Sequence, residues 1–162
     1  MKNDLDKYDE CRTQTENFYN GIGKIKCPIL GDYVVFSSEG FNHLVYKNKS
    51  ERTKNDQMTK FKLLPSGKKI IGLTTTVQEY TESLIEVRRK KMIRGKRRPY
   101  IENVIAKYWC FSAIIDGLKI KVIVRQVGEG NKHFWSVIPD WNISKYSDIK
   151  MIKKYRGDPE ED

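Results

Sequence analysis

The sharpest pattern of hydrophobic and polar positions runs from Lys107 to Trp141. Three runs rich in β-branched and aromatic residues are separated by two turn signals, Asp116-Gly117 and Gly128-Glu129-Gly130. This pattern predicts a three-stranded antiparallel meander. A two-residue Asp-Gly loop needs φ > 0 at both positions and sets the register of the first hairpin. It places Ile115 opposite Leu118, Ala113 opposite Ile120, Phe111 opposite Val122 and Trp109 opposite Val124, all on one apolar core face. Tyr108, Cys110, Ser112 and Ile114 fall on the other face with Lys119, Lys121, Ile123 and Arg125. That face is basic and hydroxyl-bearing, so helices are expected on the first face and a phosphate-binding floor on the second. At the second turn a three-residue loop pairs Arg125 with His133 and sends Ser136 to the core. A four-residue loop reverses this, and a bulge presents His133 and Ser136 together.

The remaining segments read less sharply. Residues 1–20 are polar, with weakly helical spacing of Leu5, Tyr8 and Cys11, and predict a helical extension or a frayed end. Tyr33 to Phe36 reads as a buried strand. After a turn at Ser38-Glu39-Gly40, Phe41 to Tyr46 reads as a second strand with His43 in its middle. Ser50 is the predicted N-cap of a charged helix ended by Pro65-Ser66-Gly67, with Ile70-Ile71 as a short linking strand. Thr76 to Met92 reads as the clearest helix, with Thr76 and Glu79 in capping-box spacing and a stripe of Val77, Tyr80, Leu84 and Val87. Its end runs into Arg88, Arg89, Lys90, Lys91, Arg94, Lys96, Arg97 and Arg98, broken by Gly95 and Pro99. This run is either a solvated helix end and loop or an arm that tracks phosphates, with Arg94 and Arg97 as substrate contacts. Ile143, Tyr146, Ile149, Ile152 and Tyr155 predict a C-terminal amphipathic helix, followed by a disordered acidic tail at 157–162.

A chain of 162 residues without repeats is read as one domain. With 31 Lys+Arg against 21 Asp+Glu, its formal charge is +10, which favours polyanionic partners, nucleic acid first and acidic proteins second. Three cysteines without C-x-x-C spacing predict a reducing, cytoplasmic setting and no disulfide framework. Two histidines and no Cys/His cluster argue against a metal site, and no cofactor motif is present. No apolar run reaches membrane-spanning length, and the first residues lack the apolar core of a signal peptide.

His43 and His133 are the side chains whose unperturbed pKa lies near neutrality. Two acid–base groups with several cations suit metal-free RNA cleavage, where a base takes the 2′-OH proton and an acid protonates the leaving 5′-oxygen. A cation holds the charged phosphate. Arg52, Lys121, Arg125 and Lys132 are candidate phosphate clamps, and Ser136 is a candidate phosphate hydrogen-bonding group. The opposing reading keeps each histidine as an ordinary surface or core residue.

The set G-F-N-H-L at Gly40 to Leu44, Arg52 and Gln57 after it, V-R-Q at Val124 to Gln126, and H-F-W-S-V-I-P at His133 to Pro139 resembles the phage-associated branch of the barnase–EndoU–colicin–RelE-like (BECR) nuclease superfamily. The likeness covers residues 30–141. It implies an α+β fold of N-terminal helices and an antiparallel sheet of about four strands. It also implies a metal-independent ribonuclease, bacterial or phage-encoded, used as a toxin or effector. Residue by residue it implies His43 as general acid or base, Arg52 as phosphate contact, His133 as second acid–base group and Ser136 as phosphate or ribose contact. Three functions stand open: an endoribonuclease forming a 2′,3′-cyclic phosphate on transfer or other RNA, a non-catalytic RNA-binding module using Tyr108, Trp135 and Trp141, and a basic domain meeting an acidic antitoxin or immunity protein.

Overall fold

The computed structural model describes residues 3–140, 153–154 and 157–162. In chain order the elements are α1 (Asp4–Ile22), β1 (Lys24–Cys27), β2 (Asp32–Val35), α2 (Ser38–Val45), β3 (Tyr46–Lys47), β4 (Ser50–Glu51), α3 (Lys54–Leu73), β5 (Glu79–Ile93), β6 (Lys96–Ile115), β7 (Leu118–Val127), β8 (His133–Pro139) and β9 (Lys153–Lys154). The architecture is α+β: a mostly antiparallel sheet backed by the helices. The sheet order is β1-β2-β8-β7-β6-β5-β9, larger than the expected four strands, and β3 and β4 form a separate hairpin.

The meander folds as its turn chemistry predicts. Asp116 and Gly117 take φ of 52° and 76°, and Ile115↔Leu118, Ala113↔Ile120, Phe111↔Val122 and Trp109↔Val124 are paired. Phe111, Val122, Val124, Phe134 and Val137 point into the core shared with the helices. The opposite face carries a second buried cluster of Ala106, Tyr108, Cys110, Ile123 and Trp135. It is therefore not an open cationic floor: Lys121 is bonded to Glu79 at 2.6 Å and Lys119 to Asp140 at 3.4 Å.

α1 is longer and better anchored than its polar sequence suggests. Asn3 and Asp6 form a reciprocal capping box, while Tyr8 and Tyr19 are buried. The Tyr19 hydroxyl donates to the Ser37 carbonyl at 2.6 Å. Phe41 to Tyr46, expected as a strand, is helical through Val45. Phe41, Leu44 and Val45 fall at i, i+3 and i+4 and bury one stripe. Gly40 makes this possible, because a Cβ there would overlap the Phe134 carbonyl oxygen and the Tyr19 hydroxyl.

α3 starts later than expected, with Thr53 accepting from the Asp56 amide at 3.2 Å, and it runs through Pro65 instead of ending there. Phe61, Leu64, Ile70 and Ile71 are buried on it, and Gly67 lies against Val122 and Val137. This packing outweighs the local cost of an interior proline. Ile70-Ile71 is thus helix, not strand.

The largest departure is 76–92, expected as a helix and found as strand β5. It pairs along its full length with β6, from Glu79↔Cys110 to Ile93↔Lys96. Arg94 and Gly95, with φ of 50° and 75°, form the two-residue turn. Partner strand 96–110 supplies the hydrogen bonds that decide against a helix. The cation run is regular structure at the end of this hairpin, not a broken loop. The predicted C-terminal helix residues Ile143, Tyr146, Ile149, Ile152 and Tyr155, and also Trp141, lie outside the described residues. Lys153–Lys154 is a short strand parallel to β5.

Candidate functional site

The site forms where α2, the start of α3, β7 and β8 meet. On β8, Arg125↔His133 and Val124↔Phe134 are followed by Ile123↔Ser136, so Trp135 is an extra residue in a β-bulge. The bulge turns both His133 and Ser136 to the Arg125 side of the sheet, the third of the arrangements open to the sequence.

His43 projects from α2 and stacks on Trp135, with ring centroids 4.1 Å apart. His133 meets the same indole edge-on at 5.9 Å. The Arg125 guanidinium lies over it as well, 4.1 Å from a ring centroid. Trp135 is thus a platform shared by both histidines and an arginine.

The β3–β4 hairpin turns the chain back under α2 and delivers Arg52. Its backbone amide donates to the Val45 carbonyl at 2.8 Å. Its Nε donates to the His43 carbonyl at 3.0 Å, and its guanidinium pairs with Asp56 at 3.3 Å and lies 3.4 Å from His43 Nε2. Gln57, fully buried, donates to the Arg52 carbonyl at 2.8 Å and accepts from Tyr8. It ties α1 to the loop that aims Arg52.

Lys60, one turn along α3, is 3 % exposed. Its Nζ donates to Ser136 Oγ at 3.1 Å and to the Val137 carbonyl at 3.3 Å. Burial, with repulsion from Arg52, lowers its pKa to about 7.

Residues 157–162, expected as a disordered acidic tail, are docked onto this cluster. Trp135 Nε1 donates to the Pro159 carbonyl at 2.8 Å. Glu160 accepts from Arg125 at 2.5 Å and from the Tyr108 hydroxyl. The main-chain oxygen of Asp162 accepts from Ser136 Oγ at 2.7 Å and from Lys60 at 3.0 Å. Arg52 reaches the Glu161 carbonyl at 3.0 Å. Docking follows from charge: Arg52, Lys60 and Arg125 are buried cations, and burying a cation is costly unless oxygens surround it. An open pocket of about 510 Å³ lies beside the segment, lined among others by Asn42, His43, Tyr46, Arg125, Trp135 and Glu160.

Both imidazoles are held neutral. Burial first, then the charges of Arg52 and Lys60, lower the His43 pKa to about 3. Burial lowers that of His133 too. His133 Nδ1 lies 3.4 Å from the Asn131 carbonyl, and its buried Nε2 has no hydrogen-bond partner among the described residues. The pH dependence of stability follows. Unfolded His43 titrates near 6.5 and folded His43 near 3, so the unfolded chain binds more protons in between. The stability this contributes is present above pH 6.5 and is lost as pH falls towards 3. Acidifying from pH 7 to pH 4 costs on the order of 3 kcal/mol from this group. Denaturant unfolding across that range checks it, and His43→Phe flattens the slope.

Of the residues singled out from sequence, His43, Arg52, Arg125, His133 and Ser136 come together. Lys121 is engaged with Glu79. Lys132 is bonded to Asp32 at 3.1 Å and lies over Trp109, on the helix side of the sheet. Arg94 and Arg97 are at the far end of the β5–β6 hairpin. Tyr108 is fully buried, so it offers no stacking surface. The sequence reading gives Lys60 no role, and it offers Gln57 only within the motif set and Trp135 only as a base-stacking aromatic, not as the shared platform. The available signal was helical spacing: Gln57, Lys60, Phe61 and Leu64 share one face of α3, which places a lysine within a buried stripe.

Among the described residues, no three His, Cys, Asp or Glu side chains stand close enough to hold a metal ion. No helix among them is long and apolar enough to cross a membrane. Comparison with protein-family models, with curated proteins and with solved structures finds no match for this chain.

Proposed function

We propose that the protein is a metal-independent endoribonuclease that cleaves by 2′-OH transesterification, leaving a 2′,3′-cyclic phosphate and a 5′-OH end. One observation carries this reading: three buried cations, Arg52, Lys60 and Arg125, converge with a neutral histidine on oxygens of residues 160–162. Those oxygens occupy positions that suit the non-bridging oxygens of a phosphodiester. A neutral imidazole is the form that accepts a proton; His43 is a weak base in the closed site, an anionic phosphate bound beside it favours its protonated form, and on that ground it is assigned the proton of the 2′-OH. The leaving 5′-oxygen needs a protonated donor, and burial disfavours that form of His133. Lys60, with a pKa near 7, fills that role in place of His133. Arg52 and Arg125 hold the pentacoordinate phosphate, and Ser136 orients it. His133, across Trp135, contacts the ribose or base next to the scissile bond. The likeness to the phage-associated BECR nucleases supports the same reaction class and a toxin or effector role. DNA lacks the 2′-OH and is not cleaved by this route.

The test is incubation with total bacterial RNA in excess EDTA, followed by end-group analysis. Discrete fragments with 2′,3′-cyclic phosphate ends are expected. Fragments carrying 5′-phosphates, or intact RNA with folded protein, would overturn the reading. A second reading, a site that takes an acidic polypeptide such as an antitoxin or immunity protein without cleaving RNA, is favoured by the acidic segment 159–162 seated on the cations.

A further inference from the structure

The β5–β6 hairpin continues well past the body of the sheet. β7 pairs with β6 only from Ala106 onward, and β9 pairs with β5 only at Glu79 and Tyr80. Ten residue pairs, Leu84↔Ile105 through Ile93↔Lys96, have no third strand among the described residues. At about 3.3 Å per residue this is a ribbon roughly 33 Å long.

Its charge is extreme for so thin an element. Arg88, Arg89, Lys90, Lys91, Arg94, Lys96, Arg97 and Arg98 are all exposed, and Glu86 and Glu102 are the only acids on it. The described ion pair on the ribbon is Arg89–Glu102 at 2.7 Å. Lys91 and Arg98 are directly opposed, a like-charge pair that weakens a two-stranded ribbon. The register also distributes the cations. Arg89, Lys91, Lys96 and Arg98 share one face, Arg88, Lys90 and Arg97 share the other, and Arg94 sits at the tip. On one face, cations two residues apart recur about every 7 Å.

We propose that this ribbon grips a double-helical stem of RNA, holding it by phosphates on both sides at once. A single strand tracks one face of a ribbon, whereas the two backbones bordering a groove reach both faces. The wide, shallow minor groove of A-form RNA, lined by phosphates and 2′-hydroxyls, suits such a ribbon. A second copy of this chain is disfavoured, because it would lay one strongly cationic ribbon against another. The face of Arg89, Lys91 and Arg98 continues along β6 through Ala106 to Tyr108, beside Arg125. A stem on this face therefore leads its flanking unpaired nucleotides to the candidate site. This identification of the substrate as a stem with an adjoining single strand rests on the proposed ribonuclease reading.

The test uses the full chain and a variant with Arg88→Gln, Lys90→Gln, Lys91→Gln and Arg98→Gln, two positions on each face. All four side chains are exposed, and unchanged thermal unfolding verifies the fold. Affinities are measured over a salt series for a hairpin RNA with a single-stranded extension, an unstructured RNA of equal length, polyglutamate and anionic phosphatidylserine vesicles. The expected result is at least a tenfold loss for the hairpin, a salt slope smaller by about 3, and less than a threefold loss for the unstructured RNA. Equal losses on both RNAs, no loss on the hairpin, or ribbon-dependent binding only to polyglutamate or vesicles would overturn the proposal. Hairpin binding lost with the ribbon, in a protein that cleaves nothing, would sink the ribonuclease reading and leave the stem grip standing. Cleavage without any ribbon dependence would do the reverse.

Discussion

On the proposed ribonuclease reading, His43→Ala and Lys60→Met are each expected to lower RNA cleavage by roughly 10²–10⁴-fold, the usual worth of a positioned acid or base. They leave binding of a 2′-deoxy, uncleavable oligonucleotide within about tenfold, because Arg52 and Arg125 still hold the phosphate. His133→Ala, which removes a substrate contact and no proton transfer, costs less. The pH profile separates chemistry from structure. The active form needs His43 neutral and Lys60 charged, conditions that meet between about pH 3 and pH 7. A bell-shaped kcat/KM profile is expected, and Lys60→Met removes its alkaline limb. A profile that His43→Ala or Lys60→Met leaves unchanged in height and shape would discard the acid–base pair.

On the same reading, deleting residues 157–162 is expected to raise kcat/KM for a short RNA by about tenfold or more. The segment's oxygens sit on the cations and would compete intramolecularly with a phosphate there, tethering giving them an effective concentration on the order of millimolar. Its removal leaves Arg52, Lys60 and Arg125 without the oxygens of Glu160, Glu161 and Asp162 that they now contact. The truncated protein therefore loses thermal stability in dilute buffer and regains it with added phosphate. A six-residue peptide, Gly-Asp-Pro-Glu-Glu-Asp, supplied in trans restores inhibition at millimolar concentration. Glu160→Gln, which weakens the contact with Arg125 while retaining the backbone bonds of Pro159 and Asp162, gives a smaller increase. A folded truncation that is slower than the full chain on every RNA would show that the segment builds the site instead of covering it.

The legible parts of the fold are those decided over a few residues. Asp116-Gly117 forces a two-residue turn, and the turn dictates every pair back to Trp109↔Val124. The bulge at Trp135 was one of three explicit options, since period-two alternation makes any slip visible as a change of face. Segment 76–92 reads as a helix because its apolar residues satisfy both a helical stripe and a half-buried strand. The choice depends on strand 96–110: Gly95 and Pro99 read locally as breakers, whereas Gly95 is half of a hairpin turn and Pro99 pairs with Lys90. Phe41 to Tyr46 reads as a strand for a similar reason: six residues with mixed periodicity carry too little signal, and the helix is selected by Gly40 lying against Phe134.

From the sequence alone came the antiparallel meander, the cationic character, and five of the residues that meet at the site: His43, Arg52, Arg125, His133 and Ser136. Turn geometry, side-chain alternation and titratable chemistry belong to neighbouring residues, so they are readable without a fold. The tertiary structure alone decided that Lys60 lies beside Ser136, seventy-six positions away, and that segment 159–162 covers Trp135. It also decided that His43 stays neutral well below its ordinary pKa. Desolvation and buried charge pairing set these features, and both depend on which distant parts of the chain exclude water from one another.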